Sequence, residues 1–260
     1  MQNFLFRVFG SNQFTGNQAL VIDQHDLPAE EKQLFASVKN LPVCVFIDNN
    51  SATDFCVDFY YPHRQSPLCL HGSLAAAKLF FSYYPELQYG TITTKLGQHI
   101  RIQQNNDRVN LVVKLQPVPS QAFDLVEIGE LLKLDPSKIK DISLASIGSI
   151  KLLVEVSSVI DLFELNPNLT AIVEWGKLHA INGIYAYFNN LPQIIGRNFN
   201  HLDPLLEDGA TGVAAGALCS YLKSDLEVHQ GQNLNNHCLI NTFYSPEQIV
   251  ISGQVDVIGY

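Results

Sequence analysis

The sequence predicts an α+β fold made of two similar halves, each with several antiparallel strands around one helix rich in small residues. The two helices are predicted from the runs CLHGSLAAA (residues 69–77) and EDGATGVAAGA (residues 207–217). Short apolar segments with alternating or β-branched character, typical of strands, fill most of the remaining chain. Strands and helices do not alternate strictly, so a Rossmann sheet is not expected.

The two runs share a pattern that also suggests a binding role. Each begins with polar residues or glycine and continues into an apolar run, ending near Phe81 and Leu222 respectively. Small residues let other chain segments pack closely on every side, so both helices are expected to be buried. The free N–H groups and the positive dipole end of a first helical turn suit an anionic ligand. The alternative is a pair of ordinary buried helices without a ligand.

The other elements follow from periodicity and turn signals in chain order. Before the midpoint, strands are predicted over residues 4–9, 19–22, 43–47, 55–61, 91–94, 99–103 and 109–115, with a helix over 28–40. Gln116–Ser120, with two prolines, is the expected linker. Beyond it, helices are predicted over 126–132 and 168–179, and strands over 142–147, 152–156, 183–188, 193–199, 238–243 and 248–257.

Composition limits the classes of partner. The chain has 260 residues, 47% of them hydrophobic and 16% charged, which is typical of one large or two ordinary globular domains. Its net charge of −9 argues against nucleic acid or an anionic membrane as the main partner. The amino-terminal residues show no leader pattern, and the five cysteines form no CxxC pair, so a cytoplasmic location is expected. No metal-ligand spacing or phosphate-loop motif is present.

Four segments together resemble a known family, the phenazine-biosynthesis (PhzF)-like proteins, which share the diaminopimelate epimerase-like fold. The resemblance covers nearly the whole chain. The segments that carry it are Val8-Phe9 with Phe14-Thr15-Gly16-Asn17-Gln18-Ala19, Phe59-Tyr60-Tyr61-Pro62 with Leu68-Cys69-Leu70-His71-Gly72-Ser73, Glu207-Asp208-Gly209-Ala210-Thr211-Gly212, and Gln230-Gly231.

The resemblance implies two lobes, each a curled, barrel-like antiparallel sheet around its central helix, with the active cleft between them. The N-terminal lobe would cover residues 1–117 and be completed by the last strand, about 248–260, while the C-terminal lobe would cover 121–247. Similar proteins isomerise a small carboxylate-bearing metabolite by proton transfer without cofactor or metal, and they often form homodimers. His71 and Asp208 would be the catalytic residues. The residues expected to bind the substrate are Asn17, Gly72, Ser73, Thr211, Gly212 and Val213.

The chain departs from the family at the position of its main base. The family has a glutamate after an asparagine-leucine-serine segment, whereas here Asn40-Leu41 is followed by Pro42 and then by Val43 at the glutamate's position. A valine cannot carry a proton. Val213 also replaces the serine that follows threonine-glycine in the family, and Gln65 stands near a position that is acidic there. The fold expectation is unaffected by these changes, but the catalytic one is weakened.

Each candidate residue has a simpler structural explanation as well. His71 could bond to nearby backbone, Asp208 could cap the second central helix, and Asn17 could be a turn residue. Cys44 is a candidate substitute base, but strand alternation places it on the face opposite Val43.

Two function classes therefore follow from the sequence. The first is an isomerase that uses His71 and Asp208 with a changed mechanism. The second is a catalytically impaired homologue that binds a small anion or a partner, because Val43 replaces the base.

Overall fold

The computed structural model describes residues 1–105, 108–199 and 207–259. The chain divides into two compact units. Unit 1 comprises Met1–Val113 together with Ile251–Tyr260, and unit 2 comprises Lys114–Val250.

The elements follow the sequence order closely. Those of unit 1 up to residue 113 are β1 (Gln2–Val8), β2 (Asn17–Asp23), α1 (Ala29–Lys39), β3 (Cys44–Asn50), β4 (Phe55–Tyr61), β5 (Arg64–Ser66), α2 (Leu70–Tyr83), β6 (Tyr89–Thr94), β7 (His99–Asn105) and β8 (Arg108–Lys114). Those of unit 2 are α3 (Leu125–Leu132), a 3₁₀ turn (Pro136–Lys138), β9 (Ile139–Ser146), β10 (Ile150–Val156), α4 (Val159–Glu164), α5 (Leu169–His179), β11 (Ile184–Asn190), β12 (Gln193–Phe199), β13 (Glu207–Asp208), α6 (Gly212–Leu222), β14 (Leu226–Gln230), a 3₁₀ turn (Gln232–Leu234) and β15 (Cys238–Tyr244). Strand β16 (Gln248–Ser252) spans the boundary between the units, and β17 (Val255–Gly259) belongs to unit 1.

Strand pairing repeats in the two units. In unit 1, β2 pairs parallel with β3 across α1, and β4 pairs parallel with β6 across α2. In unit 2, β10 pairs parallel with β11 across α4 and α5, and β12 pairs parallel with β14 across α6. Antiparallel neighbours such as β3–β4 and β11–β12 complete each sheet. The duplicated curled architecture is therefore present, but the sheets are mixed, because each crossover helix returns the chain in its original direction.

Both central helices are buried, as the small-residue runs predict. In α2 nearly every residue from Gly72 to Phe81 is buried, and in α6 the buried residues include Gly212 and the run from Ala214 to Cys219. Close approach explains the small side chains. A Cβ added to Gly72 would lie 3.1 Å from side-chain atoms of both Val45 and Phe59.

The other face of each sheet packs against the outer helices. In unit 1 this layer contains Ala36 of α1 with Cys44, Phe46 and Tyr60. In unit 2 the corresponding cluster contains side chains from α3, α4 and α5 packed on β10, β11 and the end of β12. Strand residues of each unit thus alternate between an inner face toward the central helix and an outer face.

Some elements differ from the sequence expectation. The strand expected over 248–257 is two strands, β16 and β17, separated by Gly253 and Gln254. The short elements β5, β13, β14 and α4 were not predicted. Within the described residues, no helix has the length and hydrophobicity needed to cross a membrane.

Candidate functional site

In unit 1 the candidate site centres on the amino end of α2. Cys69 is the N-cap residue and makes no side-chain capping bond. His71 is the second residue of the helix and is half-buried, with its Nδ1 atom 3.3 Å from Sγ of Cys69. The imidazole is thus held at the start of the helix. A histidine there could exchange a proton with a ligand bound at the helix N-terminus.

Gly72 and Ser73 are not equivalent donors. The backbone N–H and the hydroxyl of Ser73 both donate to the Cys69 carbonyl oxygen, each at 2.8 Å. Ser73 therefore uses both donors within the helix, which argues against its expected role as a ligand donor. The N–H of Gly72 lies in the first turn, where a helix supplies no acceptor.

Val43 lies directly before β3 and is fully buried. Its carbonyl oxygen accepts a hydrogen bond from the Leu20 N–H, at 3.0 Å. Cys44 points into the outer layer with α1, and burial raises the pKa of its thiol to about 12. A thiol in that position stays protonated at neutral pH and is unsuited to act as a base.

Asn17 is the first residue of β2 and is buried opposite Val8 of β1. The preceding Gly16 has a φ of 121°, and a Cβ there would lie 2.9 Å from the Val8 carbonyl oxygen. The glycine therefore permits the turn that delivers Asn17 to its position.

In unit 2 the candidate site centres on the amino end of α6. Asp208 lies on β13, opposite Asn198 of β12. Its Oδ1 accepts from the Ala210 N–H at 3.3 Å, and its Oδ2 accepts from the Thr211 hydroxyl at 2.5 Å. The N-cap of α6 is Thr211, so the alternative of Asp208 as the helix cap is wrong. Asp208 instead shapes the turn before the helix.

Gln230 holds this turn from β14. Its side-chain nitrogen donates to the Asp208 carbonyl at 2.7 Å and to the Thr211 hydroxyl at 3.1 Å. Its side-chain oxygen accepts from the Thr211 N–H at 3.3 Å and from the Tyr185 hydroxyl at 3.4 Å. The glutamine-glycine pair found by resemblance is therefore a structural clamp on the Asp208 turn.

An ion pair fixes the strand that carries Asp208. Arg197 donates from Nε and Nη2 to the two carboxylate oxygens of Glu207, at 2.9 and 2.7 Å. Its Nη1 donates to the carbonyls of Leu162 and Leu165, both at 2.9 Å. This two-point pairing orients β13 strongly.

The first turn of α6 contains N–H groups that have no acceptor within the helix. The N–H groups of Ala214 and Ala215 both donate to the Thr211 carbonyl oxygen, at 3.1 and 3.0 Å. Those of Gly212 and Val213 precede them and have no acceptor in the helix geometry. Gly212, Val213 and the Asp208–Thr211 turn are thus together in unit 2, as His71 and Gly72 are in unit 1.

A buried polar group beside Asp208 was not predicted from the sequence. Lys151 of β10, Tyr185 of β11 and Asn198 of β12 are buried almost completely. Burial raises the pKa of Tyr185, and the negative charge of Asp208 raises it further. A lysine within the apolar segment Ile150-Lys151-Leu152-Leu153-Val154 was the one signal available in the sequence. In the described part of the chain, no cluster of three or more histidine, cysteine, aspartate or glutamate side chains could hold a metal ion.

Comparison with known proteins gives a consistent result. The sequence profile of a family described as phenazine biosynthesis-like protein matches residues 6–248. An uncharacterized isomerase of Salmonella typhimurium is 26% identical, and the alignment covers 96% of this chain and 94% of the relative. A crystal structure of a Bacillus anthracis phenazine biosynthesis protein of the PhzF family superposes with a TM-score of 0.83 at 20% identity, covering 100% of this chain and 98% of the other. A predicted epimerase of Pseudomonas aeruginosa superposes with a TM-score of 0.78 at 18% identity, covering 99% and 96%.

Proposed function

Because the chain belongs to the phenazine biosynthesis-like protein family, we propose that it is a cofactor-independent isomerase that moves a proton on a small carboxylate-bearing metabolite. The observation that carries the proposal is the repeated arrangement at the two central helices. Each helix begins with N–H groups that have no acceptor within the helix, and each start has one side chain that can transfer a proton, His71 in unit 1 and Asp208 in unit 2. That both act on one substrate, in a cleft between the lobes, is an expectation from the family resemblance.

The proposed reaction needs no redox partner. A base removes a proton next to the substrate carbonyl, and the electron pair moves into the carbonyl to give an enolate. An acid then returns a proton to a different face or carbon, and the electron pair forms the new C–H bond. First-turn N–H groups such as those of Gly72, Gly212 and Val213 stabilise the negative charge that develops on oxygen. They cannot accept a proton, so His71 or Asp208 takes the role that the family's glutamate has elsewhere.

A second candidate function follows from Val43. The side chain at the glutamate position is apolar and fully buried, and the neighbouring Cys44 faces away with a raised pKa. A protein with this replacement could retain anion binding at the helix starts and lack proton transfer. It would then act as a small-carboxylate binding protein.

Deuterium incorporation from heavy water separates the two candidates. The assay uses a panel of amino acids and unsaturated carboxylic acids, with mass spectrometry of each compound after incubation. For the isomerase we expect exchange at one carbon in the wild type and a loss of about 100-fold or more in His71→Ala or Asp208→Asn, since a general base contributes about 10²–10⁴-fold. His179→Ala is the matched control, because His179 is at the far end of α5 in the outer layer of unit 2.

The outcome assigns the base. Loss of exchange in one variant alone identifies that residue as the main shuttle. Binding of panel compounds by calorimetry without any exchange would favour the binding protein. Exchange that survives both the His71 and the Asp208 change would refute the proposed mechanism.

A further inference from the structure

Lys151 is a buried cation that the proposed mechanism does not use. Its neighbours Leu152 and Val154 pack in the outer layer of unit 2, so Lys151 lies on the inner face of β10, toward α6. Only 1% of the residue is exposed. Lysine is almost never buried to this extent without a charged partner. In the described residues, no carboxylate oxygen lies within ion-pair distance of its Nζ atom.

Within the described part of the chain, Lys151 is anchored by a hydrogen bond to Asn198, which lies opposite Asp208. Its Nζ donates to Oδ1 of Asn198 at 3.0 Å. Asn198 is fully buried, and its own Nδ2 has no acceptor among the described residues. On one side Asn198 is opposite Tyr185, and on the other it is opposite Asp208. The Lys151 ammonium and the Asn198 amide thus form a buried group rich in hydrogen-bond donors. Asn198 places this group next to β13, the strand that carries the candidate catalytic carboxylate.

Asp208 supplies the negative charge that this group faces. Burial lowers the pKa of Lys151 to about 8, and the charge of Asp208 acts in the opposite direction by favouring the protonated lysine. Such an interaction is mutual, because the energy that favours one charge equally favours the other. The charge of Lys151 is therefore coupled to that of Asp208, in the turn before α6.

Unit 1 shows that the fold does not require this cation. Leu20 is opposite Cys44 in the β2–β3 pair as Leu152 is opposite Ile184 in the β10–β11 pair. On the next strand, Tyr60 is opposite Cys44 as Phe199 is opposite Ile184. One strand further, Ser66 is opposite Phe59 as Asp208 is opposite Asn198. By this register the counterparts of Lys151, Asn198 and Asp208 in unit 1 are Ala19, Phe59 and Ser66. The same topology is thus built there without any charge at the three positions.

We propose that Lys151 is a positioning residue for Asp208: its buried ammonium group, anchored on Asn198, compensates the charge of the carboxylate at the start of α6. The lysine acts through Asp208 and contacts no reacting atom. Its link to catalysis rests on the proposed isomerase function, whereas the charge coupling itself does not.

Among the residues that the structure describes, few other charges lie near the lysine. Asp208 of β13 acts on its charge, Tyr185 of β11 lies on the same face, and Asn198 of β12 is uncharged. Opposite Lys151 on β9 lies Ala145, and α6 carries no charged side chain. Glu155, farther along the same strand, accepts a hydrogen bond from Tyr187. Arg197 of β12 points to the outer layer and pairs with Glu207.

Nuclear magnetic resonance of protein labelled with ¹³C at the lysine ε-carbons tests the coupling directly. The signal lost in Lys151→Met assigns Lys151, and exposed Lys177 of α5 serves as the control. We expect Lys151 to titrate near pH 8 in the wild type and about 1 pH unit lower in Asp208→Asn, as for removal of an opposite charge nearby. Lys177 should not change. A Lys151 titration above pH 10, or one that is the same in Asp208→Asn, would overturn the proposal whether or not the protein is an isomerase.

The kinetic test uses any compound that exchanges deuterium. We expect the wild-type kcat/KM for exchange to fall as the pH rises through about 8, because the lysine loses its charge there. Lys151→Met should lack this decrease and start from a lower value, because it carries no charge at any pH. Lys151→Arg, which keeps its charge at every pH tested, should also lack the decrease but retain more of the rate. If the decrease persists unchanged in Lys151→Met, the positioning role is refuted.

Discussion

Replacing Gly231 with alanine should destabilise unit 2 by more than the strain of the left-handed backbone conformation alone. Gly231 follows the clamp residue Gln230 and has a φ of 85°. A Cβ at this position would lie 2.1 Å from the carbonyl oxygen of Asn236 and 2.7 Å from that of Gly209. Both are backbone atoms, so neither can move aside as a flexible side chain could.

The magnitude follows from two terms. An alanine in the left-handed region costs about 1–2 kcal/mol, partly offset by about 0.4–1 kcal/mol from a less flexible unfolded chain. Ala180 already adopts a φ of 55° in this unit, so the conformation alone is tolerated. Moving backbone by roughly 1 Å to relieve an overpacked contact costs about 1–3 kcal/mol. The expected loss for Gly231→Ala is therefore about 1–5 kcal/mol.

Gly97→Ala is the matched control. Gly97 has a φ of 83°, but a Cβ there meets nothing within 4 Å. Its expected loss is about 1 kcal/mol or less, since only the conformational terms apply. Urea unfolding followed by circular dichroism measures both variants, and emission from Trp175 reports unit 2 specifically, because it is the one tryptophan of the chain. A loss for Gly231→Ala no larger than that for Gly97→Ala would refute the argument from close packing.

Two further predictions concern the base position and the strand that carries Asp208. Val43→Glu should raise deuterium exchange on a substrate of glutamate-bearing relatives. Cys44→Glu is its control and should not raise exchange, because it places the same carboxylate on the outer face of β3. Equal exchange in both variants would contradict the assignment of faces. Arg197→Ala should reduce the free energy of unfolding by up to about 3 kcal/mol, because it leaves the partly buried Glu207 carboxylate unpaired. Arg197→Lys should restore little, since an ammonium group cannot reproduce the two-point pairing, and full recovery in urea unfolding would show that the charge alone matters.

The central helices could be predicted from sequence because their signal is local. A helix packed closely on all sides needs small residues, and the runs Gly72–Ala77 and Gly212–Ala217 supply them. Such a run can be recognised without knowing which segments pack against it. The direction of strand pairing could not be predicted in this way. Alternation shows which residues share a face, but it carries no information on whether β2 and β3 run parallel, which depends on the α1 crossover between them.

The polar part of the site was predictable only in part. His71 and Asp208 were found through resemblance, and their local surroundings follow from the adjacent chain. Lys151 was missed because its environment is made by residues distant in sequence, Asn198 and Asp208. A single lysine in an apolar strand is more often a sign of an exposed edge, since long charged side chains usually reach solvent. The inner placement becomes evident only when the β10–β11 and β12–β13 pairs are formed.

The pairing of β17 with β1 has a consequence for how the protein is made. Leu5 to Val8 of β1 are paired with residues between Val255 and Gly259 of β17. The ribosome therefore has to synthesise all of unit 2 before the strand that completes unit 1 exists, although domains usually fold in the order of synthesis. Unit 2 is continuous in sequence and can finish folding first. Until β17 arrives, β1 presents an open sheet edge on that side, and such edges invite pairing with other chains. The nascent protein is thus most vulnerable to aggregation in the half that was synthesised first.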